Sequence, residues 1–149
     1  MRTAITMKQE MNDIERKEAL RRRTKDFARQ VIRLFTKLDR SQEAVRILGR
    51  QMIRSGTSVG ANYREASRAR SDAEFIAKIE LCTQEADETQ YWLELLEEEC
   101  GVEKSLTNPI WQEADELISI FVTMAINTKR RRDENGERRA ESGERKPET

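Results

Sequence analysis

The sequence predicts an all-α fold, an up-down antiparallel four-helix bundle, and three observations carry that expectation. Four segments repeat apolar residues at the helical period, while none alternates apolar and polar residues as a half-buried strand does. Charged residues make up 38% of the chain and only two Pro and six Gly interrupt it, a composition suited to long solvated helices rather than to a sandwich or barrel. The two central segments match in length at about 28 residues, roughly 42 Å at the helical rise, so each can lie along the whole of the other. A chain of 149 residues fits a single domain with one core.

In chain order, a charged N-terminal extension over 1–23, compatible with helix, carries scattered Met11, Ile14 and Leu20 among its charges. The first bundle helix is expected over 24–39, with Phe27, Val31, Leu34, Phe35 and Leu38 on one face, stopping near Asp39-Arg40-Ser41. So short a connection forces an antiparallel neighbour. The second helix, 42–69, takes Ser41 as its N-cap and places Val45, Leu48, Met52, Val59, Tyr63 and Ala66 on its core face. Its register survives Ser55-Gly56, which predicts one helix with a bend at Gly56. Glycines in an exposed helix interior cost about 1 kcal/mol each, so close packing must compensate.

The third helix, 72–99, opens with Ser71 and Glu74 in capping-box spacing and holds a seam of Phe75, Ile79, Cys82, Ala86, Thr89, Leu93, Leu96 and Cys100. Trp92 and Leu95 widen that face, and Gly101 is a suitable stop. The fourth, 109–129, takes Asn108 as cap and Pro109 at its first position, then shows Trp111, Ala114, Leu117, Ile118, Phe121 and Ala125 as its core stripe. Residues 130–149 hold no aliphatic side chain larger than Ala and read as a disordered charged tail.

Composition also excludes function classes. The absence of His removes His-based triads, zincin-type metal sites and an imidazole pH switch. Glu80, Glu85, Glu88, Glu113 and Glu116 invite comparison with carboxylate-bridged di-metal bundles, but those sites need Glu-x-x-His pairs. No catalytic residue, metal, cofactor or small-molecule substrate is expected. No apolar run reaches the roughly 20 residues of a membrane span and no secretory h-region opens the chain, so a cytoplasmic protein is expected. Cys82 and Cys100 form no CxxC and read as reduced packing thiols.

The neutral total hides segregation. Residues 1–70 carry 18 Lys/Arg against 8 Asp/Glu, whereas residues 71–128 carry 2 against 14. Lys25, Arg29, Arg33 and Lys37 on the first helix, and Arg46, Arg50, Arg54, Arg64 and Arg68 on the second, lie opposite the core faces and make two basic ridges. Such ridges suit a phosphate backbone. They equally suit a solvated face, or pairing with the acidic third helix of the same or an adjacent subunit. With eight aromatic residues, most at core positions, no base-stacking platform is visible, so nucleic-acid contact would be led by the backbone. The Ser55–Asn62 stretch lacks the GxxxxGK[ST] pattern of a phosphate loop. Gly49, Gly56 and Gly60 fall on the buried side with Tyr63, where missing side chains permit close helix approach, and Ser55 and Asn62 edge that face as candidate polar anchors. Glu85 and Glu88 flank the seam beside Tyr91 and Trp92 as charge partners for an Arg of another helix or subunit.

RSGTSVGANYREA, DAEFIAKIE and EADETQYWLELL, in that order, resemble the four-helix-bundle family named for 23S rRNA intervening sequence proteins, with looser similarity over about 24–128. The matching positions are Arg54, Ser55, Gly56, Thr57, Ser58, Gly60, Asn62, Glu65, Ala66, Phe75, Lys78, Glu85, Glu88, Tyr91, Trp92 and Leu93. The resemblance implies a bacterial, non-enzymatic bundle assembling as a ring-like homopentamer. It also implies a distant similarity to the accessory variability determinant of diversity-generating retroelements, and through it a partner such as RNA or DNA with a reverse transcriptase. A protein-only adaptor, whose basic helices pair with acidic helices of neighbouring subunits, is the alternative.

Overall fold

A computed structural model describes residues 3–143 and shows four helices: α1 (Ala4–Lys37), α2 (Glu43–Ala66), α3 (Asp72–Cys100) and α4 (Lys104–Glu141). Each packs antiparallel on its neighbour in the chain, and α1 meets α4 least. The shared core is apolar and closed. Phe27 and Val31 of α1, Met52 and Val59 of α2, Ile79, Leu93 and Leu96 of α3, and Leu117 and Phe121 of α4 are all inaccessible to solvent.

The core faces follow the helical period most closely at mid-helix and drift at the ends. Leu48, Phe35, Phe75, Trp111, Ile118 and Cys100, expected inside, are half-buried against the cluster, while Leu20 and Ile110 belong to it and Ile76 is buried. A straight helix turns its apolar stripe gradually away from a fixed neighbour, so flanking positions exchange burial along its length.

Several boundaries differ from the expectation. α1 begins at Ala4 rather than 24, because Thr3 caps it (Thr6 N–H to Thr3 Oγ1, 3.3 Å) and no Gly or Pro interrupts the good helix formers that follow. α2 starts after Gln42, since the Ser41 hydroxyl donates to Asp39 Oδ1 at 2.6 Å instead of capping. It ends at Ala66 rather than 69, and it runs through Gly56 as one helix. α3 opens on the Ser71 cap (Glu74 N–H to Oγ, 3.1 Å) and closes on Gly101 at φ 69°, a left-handed conformation that glycine adopts freely. The Glu74 carboxylate accepts from the Arg70 N–H at 3.0 Å, one residue upstream of a capping box.

α4 departs furthest. It begins at Lys104, so Asn108 does not cap it and Pro109 lies inside it. Thr107 explains the earlier start: it is 1% exposed and its hydroxyl donates to Glu97 Oε2 at 3.0 Å, drawing the preceding turn against the end of α3. At the other end the expected disordered tail is helical through Glu141, with the first left-handed residue at Gly143 (φ 74°). Residues 144–149 of that expected tail lie outside the described residues.

Candidate nucleic-acid interface

Glycines on α2 determine where the two basic helices stand. A Cβ built on Gly56 would lie 2.8 Å from both γ-methyls of Val31, and one on Gly60 would lie 3.4 Å from the Thr24 carbonyl oxygen. At Gly49 the neighbours are Leu38 and Phe35, each 3.2 Å away. The small residues therefore admit the side chains and backbone of α1, and this approach brings the outer faces of α1 and α2 side by side.

On those faces Lys25, Arg29, Arg33, Lys37, Arg50, Arg54, Arg64 and Arg68 are exposed and Arg46 is half-buried. Three of the nine carry acidic partners. Arg29 meets Asp26 at 2.7 Å and Arg46 meets Glu43 at 2.6 Å, both within one helical turn, and Arg54 crosses to Glu88 of α3 at 3.0 Å. Lys25, Arg33, Lys37, Arg50, Arg64 and Arg68 have no carboxylate partner among the described residues. Exposed pairs of this kind contribute about 0.2–1 kcal/mol, so even the paired guanidiniums can exchange partners.

The α2–α3 side is organised differently. Ser55 and Thr89, both fully buried, share a hydrogen bond of 2.8 Å, and Thr89 also donates to the Glu85 carbonyl at 2.8 Å. This polar contact inside an apolar seam favours one register of α2 on α3. Asn62 instead donates back to the Ser58 carbonyl at 2.9 Å, within its own helix. Tyr63 is buried with its ring 6.2 Å from Phe121.

Glu85 and Glu88 separate in role. Glu88 takes Arg54, whereas Glu85 Oε2 is buried without a hydrogen-bond partner among the described residues. Burial raises the Glu85 carboxyl above its ordinary value, the Glu88 charge adds to this, and Arg54 opposes it. Trp92 is half-buried with its Nε1 unpartnered, beside an exposed Tyr91 whose ring centroid lies 5.0 Å away.

Sequence reasoning missed the ion pairs that tie the helices to one another elsewhere. Arg23 of α1 spans to Glu113 (2.7 Å) and Glu116 of α4, Lys78 of α3 meets Glu65 of α2 at 2.5 Å, and Lys129 of α4 meets Glu80 of α3 at 2.7 Å. Charge segregation was the available signal, but the individual partners depend on helix order and register. Among the described residues no group of three His, Cys, Asp or Glu side chains is placed to hold a metal ion. No described helix is long and apolar enough to cross a membrane. Both cysteines are free, and burial pushes the Cys82 thiol up to about 12, far from a reactive thiolate.

The family described as 23S rRNA-intervening sequence protein matches residues 16–123. The chain belongs to that family. Its fold is also similar to a solved structure, a protein of unknown function from the S23 ribosomal protein family of Bacteroides thetaiotaomicron. The two superpose with a TM-score of 0.65 at 32% identity, covering 70% of this chain and 96% of that one. No curated protein matches the chain. The family match takes in α2, α3 and all nine ridge cations, and it leaves out the first turns of α1 and the part of α4 after Thr123.

Proposed function

We propose that this member of the 23S rRNA-intervening sequence family is a non-enzymatic, homo-oligomeric scaffold. Its outer α1–α2 face contacts the phosphate backbone of RNA, alone or together with an RNA-handling protein. The observation carrying this reading is the set of six exposed cations, Lys25, Arg33, Lys37, Arg50, Arg64 and Arg68, on two helices held together by glycine contacts and with no carboxylate partner among the described residues. Backbone contact by such a face needs no stacking aromatics.

The protein-only adaptor has its own support. Arg54–Glu88 and Lys78–Glu65 show basic and acidic helices pairing within the chain, and the same chemistry extends to a neighbouring subunit. One experiment separates the two. Protein purified at low salt without nuclease is examined by native mass spectrometry for subunit number and retained nucleic acid, and RNA affinity is then measured against salt. The scaffold reading expects an RNA-bearing oligomer, with a log–log salt slope that becomes shallower by about 0.7–0.9 per cation removed in an Arg50→Ala/Arg64→Ala/Arg68→Ala variant. A clean oligomer with no salt-sensitive RNA binding overturns it and favours the adaptor.

A further inference from the structure

We propose that one end of the bundle is a binding site for a small amphipathic anion, an apolar body carrying a carboxylate or phosphate head. α1 and α4 run past the turn that joins α2 to α3, and the space between them is a cavity of about 750 Å³. Small-molecule sites occupy the range of roughly 300–1,000 Å³, with apolar linings and a few placed polar groups. This cavity has both parts.

Its floor is apolar and belongs to the core. Leu20 of α1, Tyr63 and Ala66 of α2 and Met124 of α4 form it; Tyr63 and Ala66 are each 1% exposed and Leu20 is 9% exposed. Around the mouth stand Arg16 and Lys17 of α1, Arg70 of the turn and Arg131 of α4, all exposed and none with a carboxylate partner among the described residues. Asp13 and Asp72 share the wall, which leaves a surplus of cations around an apolar floor. Arg23, also in the wall, is committed to Glu113 and Glu116.

The site is pre-formed because the turn beneath it is fixed. The Arg21 guanidinium donates to Ser67 Oγ through Nε (3.2 Å) and Nη2 (2.7 Å), and the Arg70 N–H donates to Glu74 Oε2 at 3.0 Å. Tyr63 brings a phenol to the floor of the cavity. Its side chain is almost wholly enclosed and lines the cavity, yet its hydroxyl makes no hydrogen bond to any described residue. A ligand oxygen that reaches the floor can accept from this hydroxyl.

The floor also limits what fits. Beyond Leu20 the walls turn polar at Asp13, Arg16 and Lys17 on α1 and at Arg131 on α4, so apolar contact ends after one layer. An amphipathic helix needs an apolar stripe several turns long, whereas a compact ligand with one charged head matches a single layer under a cationic rim.

The test uses the full chain and anilinonaphthalene sulfonate, an aromatic body with an anionic head, followed by fluorescence. Saturable binding at one site per chain is expected. An Arg70→Ala/Arg131→Ala variant should bind about tenfold more weakly or worse, since charge-assisted contacts to the head are lost. Arg40→Ala/Lys104→Ala, at the opposite end of the bundle, should leave affinity unchanged. Dodecanoate and dodecyl phosphate compete while dodecanol does not, and the stronger competitor identifies the head group. The four altered residues are exposed, and circular dichroism checks that both variants stay folded. Non-saturable binding, equal affinity in the Arg70/Arg131 variant, or equal competition by dodecanol overturns the proposal.

Discussion

The middle of the bundle and its two helical overhangs are continuous in backbone but differ in what sustains them. Between Leu20 and Thr128 every helix buries a stripe, and Val31, Met52, Ile79, Leu93 and Phe121 lose all contact with solvent. Residues 4–19 of α1 are exposed throughout, including Ile5, Met7, Met11 and Ile14, and α4 beyond Thr128 carries almost nothing but charge. The bundle is helical because packing requires it. The overhangs are helical because nothing breaks them, being capped by Thr3 at one end and free of proline. Helical conformation alone therefore says little about where this molecule stores its stability.

Two glycines give the strongest way to break that comparison. Gly56→Ala places a methyl 2.8 Å from the γ-carbons of Val31, a buried β-branched side chain with little rotamer freedom, and should cost about 1–3 kcal/mol of stability in denaturant unfolding. Gly136→Ala meets nothing within 4 Å and should raise the helicity of the α4 overhang, a local gain of about 0.5–1 kcal/mol. The same substitution thus acts with opposite sign in the two regions. Equal effects would mean that α1 and α2 do not approach as closely as described.

A smaller effect is expected from Ser55→Ala, which removes the buried bond to Thr89 while Thr89 keeps its bond to the Glu85 carbonyl. The loss should be about 1 kcal/mol by thermal unfolding. A cost near zero would show that the apolar seam alone keeps α2 in register on α3.

The mildest test concerns pH. Glu85 is held above its ordinary value by burial and by Glu88, so its contribution to stability is complete below the unfolded-state value and is lost as pH rises through the raised folded-state value. Glu85→Gln should flatten the stability profile across that acidic window and leave the protein slightly more stable at neutral pH. A variant less stable than the parent at neutral pH would mean that Arg54 outweighs the burial.

The helical period placed Phe27, Met52, Cys82, Leu93 and Phe121 in the core because period and burial report the same geometry. Boundaries were less legible. Asn108-Pro109 carries a strong local start signal, yet tertiary contacts at Thr107 begin the helix earlier. The basic ridges were visible as residue types at helical spacing. Their pairing was not, since Arg54 chooses Glu88 and Arg23 reaches Glu113 only through the placement of one helix against another. The cavity at the bundle end had no sequence signal either, because it arises where α1 and α4 outrun the α2–α3 turn.

By itself the sequence determined the helical class, the four core stripes, the segregation of charge and, through RSGTSVGANYREA and its companions, the family. Those are local or pairwise properties of the chain, carried by spacing and residue type. Tertiary structure alone decided, among the described residues, which cations stay unpaired, which buried carboxylate oxygen lacks a partner and where a ligand-sized space opens. Each depends on the relative length, register and proximity of separate helices, and these are set by contacts between residues far apart in the chain, such as Gly56 with Val31 and Ser55 with Thr89.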